Sequence, residues 1–372
     1  MLPIALKSFH IKNYRGIIDT QIDDIPPNTQ WIFLTGENGF GKTSVLQALA
    51  IRLAKESSYE NEGIECTLHG DENAEEDDFE SILSYISPFP IYNIVAYGST
   101  RLRVSGGTTR EVMDDYSSVD SLFSNNTLLI NIEEQFNGWY SNYREGYEQL
   151  VKIFKTLLPR LGKISVDIDD KTKLNKTTYY EEDLEHNIFK EGIIFNDLAA
   201  GYKNILAMIG DMIIRLRECQ TVENFSDLEG IVLIDEIDLH LHPKYQKLFV
   251  QKLTELFPKI QFIVSTHSPI PLLGAPKNSV IINVSRTREH GIKAELLDID
   301  FSVLTPNAIL SSPIFGFQDL IPESKSDDKM IRTEDTFQEV EFNDQLKKNI
   351  NQFLTKERQE ELLKLIKVKQ KS

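Results

Sequence analysis

The stretch Thr35-Gly36-Glu37-Asn38-Gly39-Phe40-Gly41-Lys42-Thr43-Ser44 decides the fold that we expect for this chain. It follows a short apolar run, residues 31–34, and precedes a helical pattern over residues 45–55. Glycines let the backbone curl so that successive N–H groups converge on one anion, and the positive end of the following helix faces the same anion. The order of strand, glycine-rich loop and helix therefore predicts a cradle for phosphate.

The spacing within this stretch matches the phosphate-loop (Walker A) pattern G-x-x-x-x-G-K-[ST], with Gly36 and Gly41 as its glycines. We expect Lys42 to reach the β- and γ-phosphates of ATP, and the Thr43 hydroxyl to ligate Mg²⁺. The alternative is a chance glycine-rich turn before a surface helix, and the flanking strand and helix argue against it. The other loop residues that we expect at the nucleotide are Glu37, Asn38, Gly39 and Ser44.

Composition and net charge indicate whether the chain is soluble and whether it is attracted to membranes or DNA. The chain has 372 residues, of which 41% are hydrophobic and 26% charged, as in a soluble globular protein. Neither a signal peptide nor a membrane-spanning stretch is evident, so we expect a cytoplasmic protein without membrane contact. Because the formal net charge is −17, long-range attraction to DNA is not expected either. DNA contact would then need a local basic patch or, as we expect, be indirect through a partner protein.

Two further segments carry polar residues at the ends of apolar runs. The aliphatic run 230–234 predicts a strand buried on both faces, and Asp235 and Glu236 follow it directly. Two acids at the end of a buried strand are costly unless a cation or nucleotide site neutralises them. A third apolar run, residues 260–265, precedes Thr266-His267-Ser268-Pro269.

In α/β proteins, ligands bind at the carboxyl edge of the sheet, where these segments would meet. The sequence therefore predicts one site assembled from segments that are distant along the chain. The side chains expected to converge there are Lys42, Thr43, Asp235, Glu236 and His267.

The N-terminal segment makes a family resemblance specific. Phe9-x-Ile11-x-Asn13-Tyr14-Arg15-Gly16, followed by the phosphate loop, resembles the head domain of the RecF/SMC-type ABC ATPases. The resemblance implies an α/β P-loop NTPase with an ABC-type head: a mixed central sheet, an N-terminal antiparallel β element and a compact helical lobe. The segment between Lys42 and Leu198 shows no heptad run, so we expect no long coiled coil.

The resemblance also implies roles for individual residues. Asp235 would hold Mg²⁺ through water, Glu236 would polarise the attacking water, and His267 would be the switch histidine that reaches the γ-phosphate. Arg15 would lie near the adenine; a surface arginine at a strand end is the alternative. Arg101, after the apolar run 92–97, would stand in for a family glutamine or simply cap its strand.

Leu198-Ala199-Ala200-Gly201 resembles the signature segment of the same family, which touches the γ-phosphate bound by a second subunit. It implies a homodimer, or a higher homo-oligomer, closed around ATP. Ala199 stands where the family has a serine, so one hydroxyl hydrogen bond is lost. Gly201 and the helix N-terminus remain as backbone donors. We expect slower turnover rather than lost dimerisation.

Residues 96–98, 199–203 and 304–307 look most like the ATPase subunits of Septu-type and retron anti-phage systems, which work with a separate HNH nuclease. The resemblance implies a Mg²⁺-dependent ATPase that regulates such a nuclease. A slow nucleotide sensor or scaffold, and a RecF-like DNA repair ATPase, are the alternatives. The RecF-like start and the altered signature argue against the ATPase of a transporter.

For domain organisation, we expect the head to occupy residues 1–320, with a helical or insert lobe at about 56–195. Residues 321–372 would form a linker and an amphipathic helix suited to docking a partner. Within the lobe, residues 106–126 read as a polar loop and residues 136–158 as one aromatic-rich helix. Residues 152–176 form the most basic stretch and the only candidate for DNA contact.

Overall fold

A nine-stranded mixed sheet is the central element of the fold. The computed structural model describes residues 2–54, 63–69, 92–101, 104–105, 108–168, 175–183, 188–189, 191–289 and 291–297. The strands there are β1 (Leu6–Tyr14), β2 (Ile17–Ile22), β3 (Trp31–Thr35), β4 (Ile64–Leu68), β5 (Ile94–Tyr97), β6 (Leu161–Ile168), β7 (Asn175–Asp183), β8 (Ile188–Phe189), β9 (Gly230–Ile234), β10 (Ile260–Ser265), β11 (Val280–Thr287) and β12 (Gly291–Leu297).

Helices cover and connect these strands. They are α1 (Lys42–Ala54), α2 (Thr109–Asp115), α3 (Ile132–Asn142), α4 (Arg144–Leu157), α5 (Ala200–Glu218) and α6 (Pro243–Leu256). The longest helix in these ranges, α5, has 19 residues, so the described part of the chain contains no long coiled-coil arm. None of the helices in this part is both long and apolar enough to cross a bilayer.

The large sheet has the strand order β4-β1-β2-β12-β11-β3-β10-β9-β5. Neighbours from β11 to β5 are parallel, whereas β4, β1, β2 and β12 form an antiparallel wing. The predicted fold class, an α/β head with a mixed sheet and an N-terminal antiparallel element, is confirmed. Because the central strands run in the same direction, their carboxyl ends share one edge.

The central strands are buried on both faces, as their apolar sequences predict. Every residue of β3, β9 and β10 is buried. The Trp31 ring stacks on Phe262 of β10, with 4.5 Å between ring centroids, and on Phe33. The rigid packing of these strands fixes the positions of the loops that follow them.

The lobe that precedes α5 combines helices with a small sheet in the order β6-β7-β8. Phe136 of α3 packs against Tyr147 and Phe154 of α4. The prediction of one helix over residues 136–158 was wrong, because the chain breaks at Tyr143, whose φ and ψ are −145° and 69°. The Tyr143 ring folds over Gly146, where a Cβ would lie 2.0 Å from the ring.

The prediction of a loop over residues 106–126 was also wrong, because α2 lies within it. Thr108 and Glu111 form a capping box: the Glu111 N–H donates to Thr108 Oγ1 (3.3 Å), and the Thr108 N–H donates to Glu111 Oε2 (2.7 Å). Two donors that the helix leaves without partners are satisfied in this way, which stabilises a short polar helix. The Thr-x-x-Glu pattern was the available sequence signal.

Some predictions fall outside the described residues. These are the head boundary near residue 320, the linker and the amphipathic helix of residues 321–372, and part of the lobe. They stay predictions.

Candidate functional site

The phosphate loop connects the carboxyl end of β3 to α1, as its sequence predicts. Gly36, Gly39 and Gly41 have φ angles of 132°, 79° and 96°, in the region that disfavours side chains. A Cβ on Gly36 would lie 2.1 Å from the carbonyl oxygen of Val284, and a Cβ on Gly41 would lie 2.4 Å from Cδ1 of Ile292. Two of these glycines therefore let the loop pack directly against the β11–β12 hairpin.

Gly36→Ala and Gly39→Ala form a matched pair. Both put a side chain at positive φ, at a shared cost of about 1–2 kcal/mol. Only the new methyl at residue 36 would also collide with backbone, since a Cβ on Gly39 has no heavy atom within 4 Å. We expect Gly36→Ala to lower the melting temperature of the nucleotide-free protein by about 5 °C more than Gly39→Ala does. Equal shifts in thermal unfolding would contradict the packing role of Gly36.

Lys42 is a buried cation of the site, with 4% of its surface exposed. Its Nζ donates to the carbonyl oxygens of Gly36 (2.7 Å) and Glu37 (2.9 Å). Burial lowers the pKa of Lys42 to about 8, although nearby carboxylates, of which Asp235 contributes most, act to raise it. At pH 7 the loop thus holds an ammonium group whose hydrogen-bond partners among the described residues are carbonyl oxygens.

This arrangement predicts how stability depends on pH. The folded pKa of Lys42, about 8, lies below its ordinary value of 10.5, so protonation favours the unfolded chain. The loss of folding stability caused by burying the protonated Lys42 is fully present below pH 8, and it is relieved as the pH rises towards 10.5. We therefore expect Lys42→Met to stabilise the nucleotide-free protein at pH 7, with the gain shrinking towards pH 10. Urea unfolding of both proteins across this range tests this, and a gain that grows with pH would contradict it.

The acidic end of β9 is bound to the phosphate loop and to β10. Asp235 is buried; its Oδ2 accepts a hydrogen bond from Thr43 Oγ1 (2.8 Å), and its Oδ1 accepts one from Ser265 Oγ (2.5 Å). The Ser265 hydroxyl also accepts from the Glu236 N–H (2.8 Å). Hydrogen bonds thus join three segments that are distant along the chain at one edge of the sheet.

Glu236 and His267 complete this edge. Glu236 has a φ of 50°, which turns the chain sharply after β9. His267 is half-buried, and burial, followed by the positive charge of Lys42, lowers its pKa. Its neighbour Thr266 donates from Oγ1 to Asp238 Oδ1 (2.6 Å). A neutral imidazole beside a buried ammonium can donate a hydrogen bond without adding a second positive charge.

A family model described as an AAA ATPase domain matches residues 5–200 and 108–270. Together the two matches span residues 5–270, well over half of the 372-residue chain. The chain belongs to the AAA ATPase domain family.

Curated relatives extend this result. The Septu protein PtuA of Bacillus mycoides (strain KBAB4) is 29% identical over 350 residues, covering 86% of this chain and 46% of the relative. The Retron Vc95 probable ATPase of Vibrio cholerae serotype O1 biovar El Tor is 35% identical over 206 residues, covering 54% and 36%. The predicted resemblance to Septu and retron ATPases is confirmed. The chain spans less than half the length of these relatives.

Among solved structures, the SMC head bound to the C-winged helix domain of ScpA aligns with a TM-score of 0.47 and 16% identity. The alignment covers 80% of this chain and 98% of that one.

The other residues predicted to bind the nucleotide differ in how far they are exposed. Glu37, Asn38 and Gly39 are exposed on the loop, and Ser44 is half-buried in the first turn of α1. Arg15 is exposed, and its Nη1 donates to Gln47 Oε1 (2.6 Å), which connects it to α1. Its role near the adenine stays a prediction.

The signature-like segment of the AAA ATPase domain begins α5. Ala199 is the N-cap residue, and no side chain caps the helix there. A Cβ on Gly201 would lie 2.7 Å from the His240 carbonyl oxygen, so glycine lets the first turn of α5 approach the loop after β9. Gly201 therefore packs against that loop of its own chain. The contact of Gly201 with a second subunit stays a prediction.

Sequence reasoning missed Ser265 and Asn204 and left Arg101 with two alternative roles. Ser265 directly precedes the predicted Thr266-His267 segment, and this position at a strand end was the available signal. Arg101 is buried and donates to backbone carbonyl oxygens of Gly98 and Asp235. It therefore does more than cap its own strand.

The donor set of the AAA ATPase domain fits Mg²⁺. The Thr43 hydroxyl and the Asp235 carboxylate are hard oxygen donors that lie 2.8 Å apart. Mg²⁺ typically takes few protein ligands and completes its coordination with water and substrate phosphates. Thr43 and Asp235 are thus the residues that would hold it.

Proposed function

We propose that this chain binds ATP with Mg²⁺ in the cytoplasm and hydrolyses it between two copies of itself, as a homodimer or a higher homo-oligomer. In doing so it would regulate a separate, HNH-type nuclease in anti-phage defence. The observation that supports this most is the linked set Thr43–Asp235–Ser265–Glu236 beside the buried cation of Lys42. The similarity to Septu and retron proteins supports the defence context.

The proposed reaction is the attack of water on the γ-phosphorus of ATP. Lys42 carries the charge that pairs with the β- and γ-phosphates, and the loop N–H groups hold their oxygens. Glu236 accepts the proton of the attacking water as the bond from the γ-phosphorus to the β-bridging oxygen breaks. His267, neutral because its pKa is lowered, donates a hydrogen bond to the γ-phosphate. Bound Mg²⁺ would neutralise charge on the phosphate oxygens.

A slow nucleotide sensor is the second candidate, and Ala199 favours it. An alanine N-cap offers no hydroxyl to a phosphate held by the second copy. We expect Ala199→Ser to raise ATP turnover by about fivefold to thirtyfold, since one charge-assisted hydrogen bond contributes about 1–2 kcal/mol. Serine also caps helices better than alanine, so the melting temperature should rise as well. A higher melting temperature with unchanged turnover would contradict the role of this position at the phosphate.

The partner is tested by affinity purification of the tagged protein from its own host with ATP present. Recovery of an HNH-type nuclease supports the regulatory function, whereas a membrane permease would support the transporter alternative. ATP turnover with and without DNA separates a responsive ATPase from a sensor. We propose that DNA acts through the nuclease, so the purified chain alone should show turnover independent of DNA. Strong direct stimulation would instead favour the RecF-like repair alternative.

A further inference from the structure

Arg101 is a buried guanidinium beside the acidic end of β9, with 1% of its surface exposed. Its Nη1 donates to the carbonyl oxygens of Asp235 (2.5 Å) and Gly98 (3.0 Å), and its Nη2 donates to that of Glu236 (2.7 Å). Its Nε donates to Asn204 Oδ1 of α5 (2.8 Å). One side chain thus binds the backbone of both acids and the signature-like helix.

The acceptors of Arg101 in these four bonds are neutral oxygens, which compensate a buried charge poorly. Burial lowers the pKa of Arg101 to about 10, although Asp235, Glu236 and Asp238 act to raise it, so the group stays charged at pH 7. The charge balance of Arg101 therefore comes from the acids of the site at longer range. Its rigid fork of donors matches carbonyl oxygens that must be held in a fixed relative position.

Glu236 is the residue whose backbone needs such support. A non-glycine residue at a φ of 50° is strained, because its Cβ lies close to the following carbonyl oxygen, and it persists only where its surroundings fix it. The Glu236 N–H is held by Ser265 Oγ and its carbonyl oxygen by Arg101, while the Ile237 N–H donates to the Ser265 carbonyl oxygen (3.0 Å). Arg101 thus helps to set the direction in which the Glu236 side chain leaves the backbone.

Asn204 connects the same arginine to α5. It is 2% exposed, and its Nδ2 donates to the Leu239 carbonyl oxygen (3.1 Å) while its Oδ1 accepts from Arg101. Gly201, one turn earlier on α5, approaches the His240 carbonyl oxygen. The start of α5 is therefore fixed to both Arg101 and the loop after β9.

We propose that Arg101 and Asn204 form a clamp that positions Glu236 and couples it to the first turn of α5. This inference rests on the proposed function, in which a second copy meets that turn. A displacement of α5 on closure is transmitted through Asn204 and Arg101 to the Glu236 backbone. Both clamp residues are positioning residues: they act on the hydrolytic step through Glu236 and leave nucleotide binding to the phosphate loop.

Arg101→Lys keeps the charge and removes the fork, and Asn204→Ala removes the link to α5. For each variant we expect kcat to fall at least tenfold while KM stays within twofold. The double variant should lose no more than the worse single variant, because both changes break one clamp. Turnover per copy should rise with protein concentration in the parent protein. In Asn204→Ala this rise should be lost, although sedimentation with ATP still shows the dimer.

Gln261→Leu is the matched control. Gln261 is a buried amide that also bridges two segments, accepting from the Leu6 N–H and donating to the Thr29 carbonyl oxygen, at the opposite end of β10. The Gln261→Leu substitution should lower the melting temperature and leave kcat unchanged. Folded clamp variants with the kcat of the parent, additive losses in the double variant, or an equal loss in Gln261→Leu would each overturn the clamp.

Glu236→Gln separates failure of the clamp from failure of the proposed function. If Glu236→Gln hydrolyses ATP like the parent, the proposed function fails and the clamp with it. If Glu236→Gln is inactive but both clamp variants behave like the parent, only the clamp fails. Should Arg101→Lys not fold, Asn204→Ala and Asn204→Ser carry the same test, with the same kcat and concentration readouts.

Discussion

Lys42→Ala is expected to weaken ATP binding by at least about a hundredfold. The Lys42 ammonium is buried within the phosphate loop, where it donates to the carbonyl oxygens of Gly36 and Glu37, and a phosphate would give it a charged acceptor. Hydrogen bonds to charged groups contribute about 1.5–3 kcal/mol each, and 2.8 kcal/mol corresponds to a hundredfold change in affinity. Titration with a fluorescent adenine nucleotide measures the effect.

Lys252→Ala is the matched control for this experiment. Lys252 lies on α6 in an ion pair with Glu255 (2.7 Å) at the protein surface. The substitution removes the same group from a solvated position, and affinity should stay within twofold of the parent. Equal affinity of Lys42→Ala and the parent would remove the basis of the proposed nucleotide site.

Glu236→Gln is expected to reduce ATP hydrolysis at least about a hundredfold, because general acid–base catalysis typically contributes about a hundredfold to ten-thousandfold. Glutamine keeps the size of the side chain and the backbone bonds to Arg101 and Ser265, but its amide does not accept the proton of the attacking water. ATP should therefore stay bound, and the dimer should persist. Phosphate release and sedimentation in the presence of ATP measure the two effects.

The control carries the same substitution at the other end of β9. Glu229 directly precedes the strand and lies 3.8 Å from Lys259 in a partly exposed ion pair. Glu229→Gln should hydrolyse ATP at the rate of the parent. Unchanged hydrolysis in Glu236→Gln would exclude Glu236 as the base, and loss of the ATP-dependent dimer would contradict the trapped state.

The meeting of Lys42, Asp235, Glu236 and His267 at one edge was predictable because each follows or begins an element with a clear apolar pattern. Parallel strands bring such ends together whatever the connections between them. The catalytic roles of these residues stay predictions. The hydrogen bonds of Ser265, Arg101 and Asn204 were harder to predict from the sequence. Their partners lie far away along the chain, and those of Arg101 and Asn204 also depend on how α5 packs. Helix α2 was missed for another reason: polar composition was given more weight than its capping box.

The two neighbours of β3 come from the far end of the described chain. Trp31 pairs with Phe262 of β10, and Ile32 pairs with Val280 of β11. During synthesis the phosphate loop therefore leaves the ribosome long before the strands that flank it. Contacts of such high sequence separation form late, so a nascent chain that stops short of residue 280 would have no assembled site. Prematurely terminated products should then neither compete for ATP nor join complete copies in the closed state.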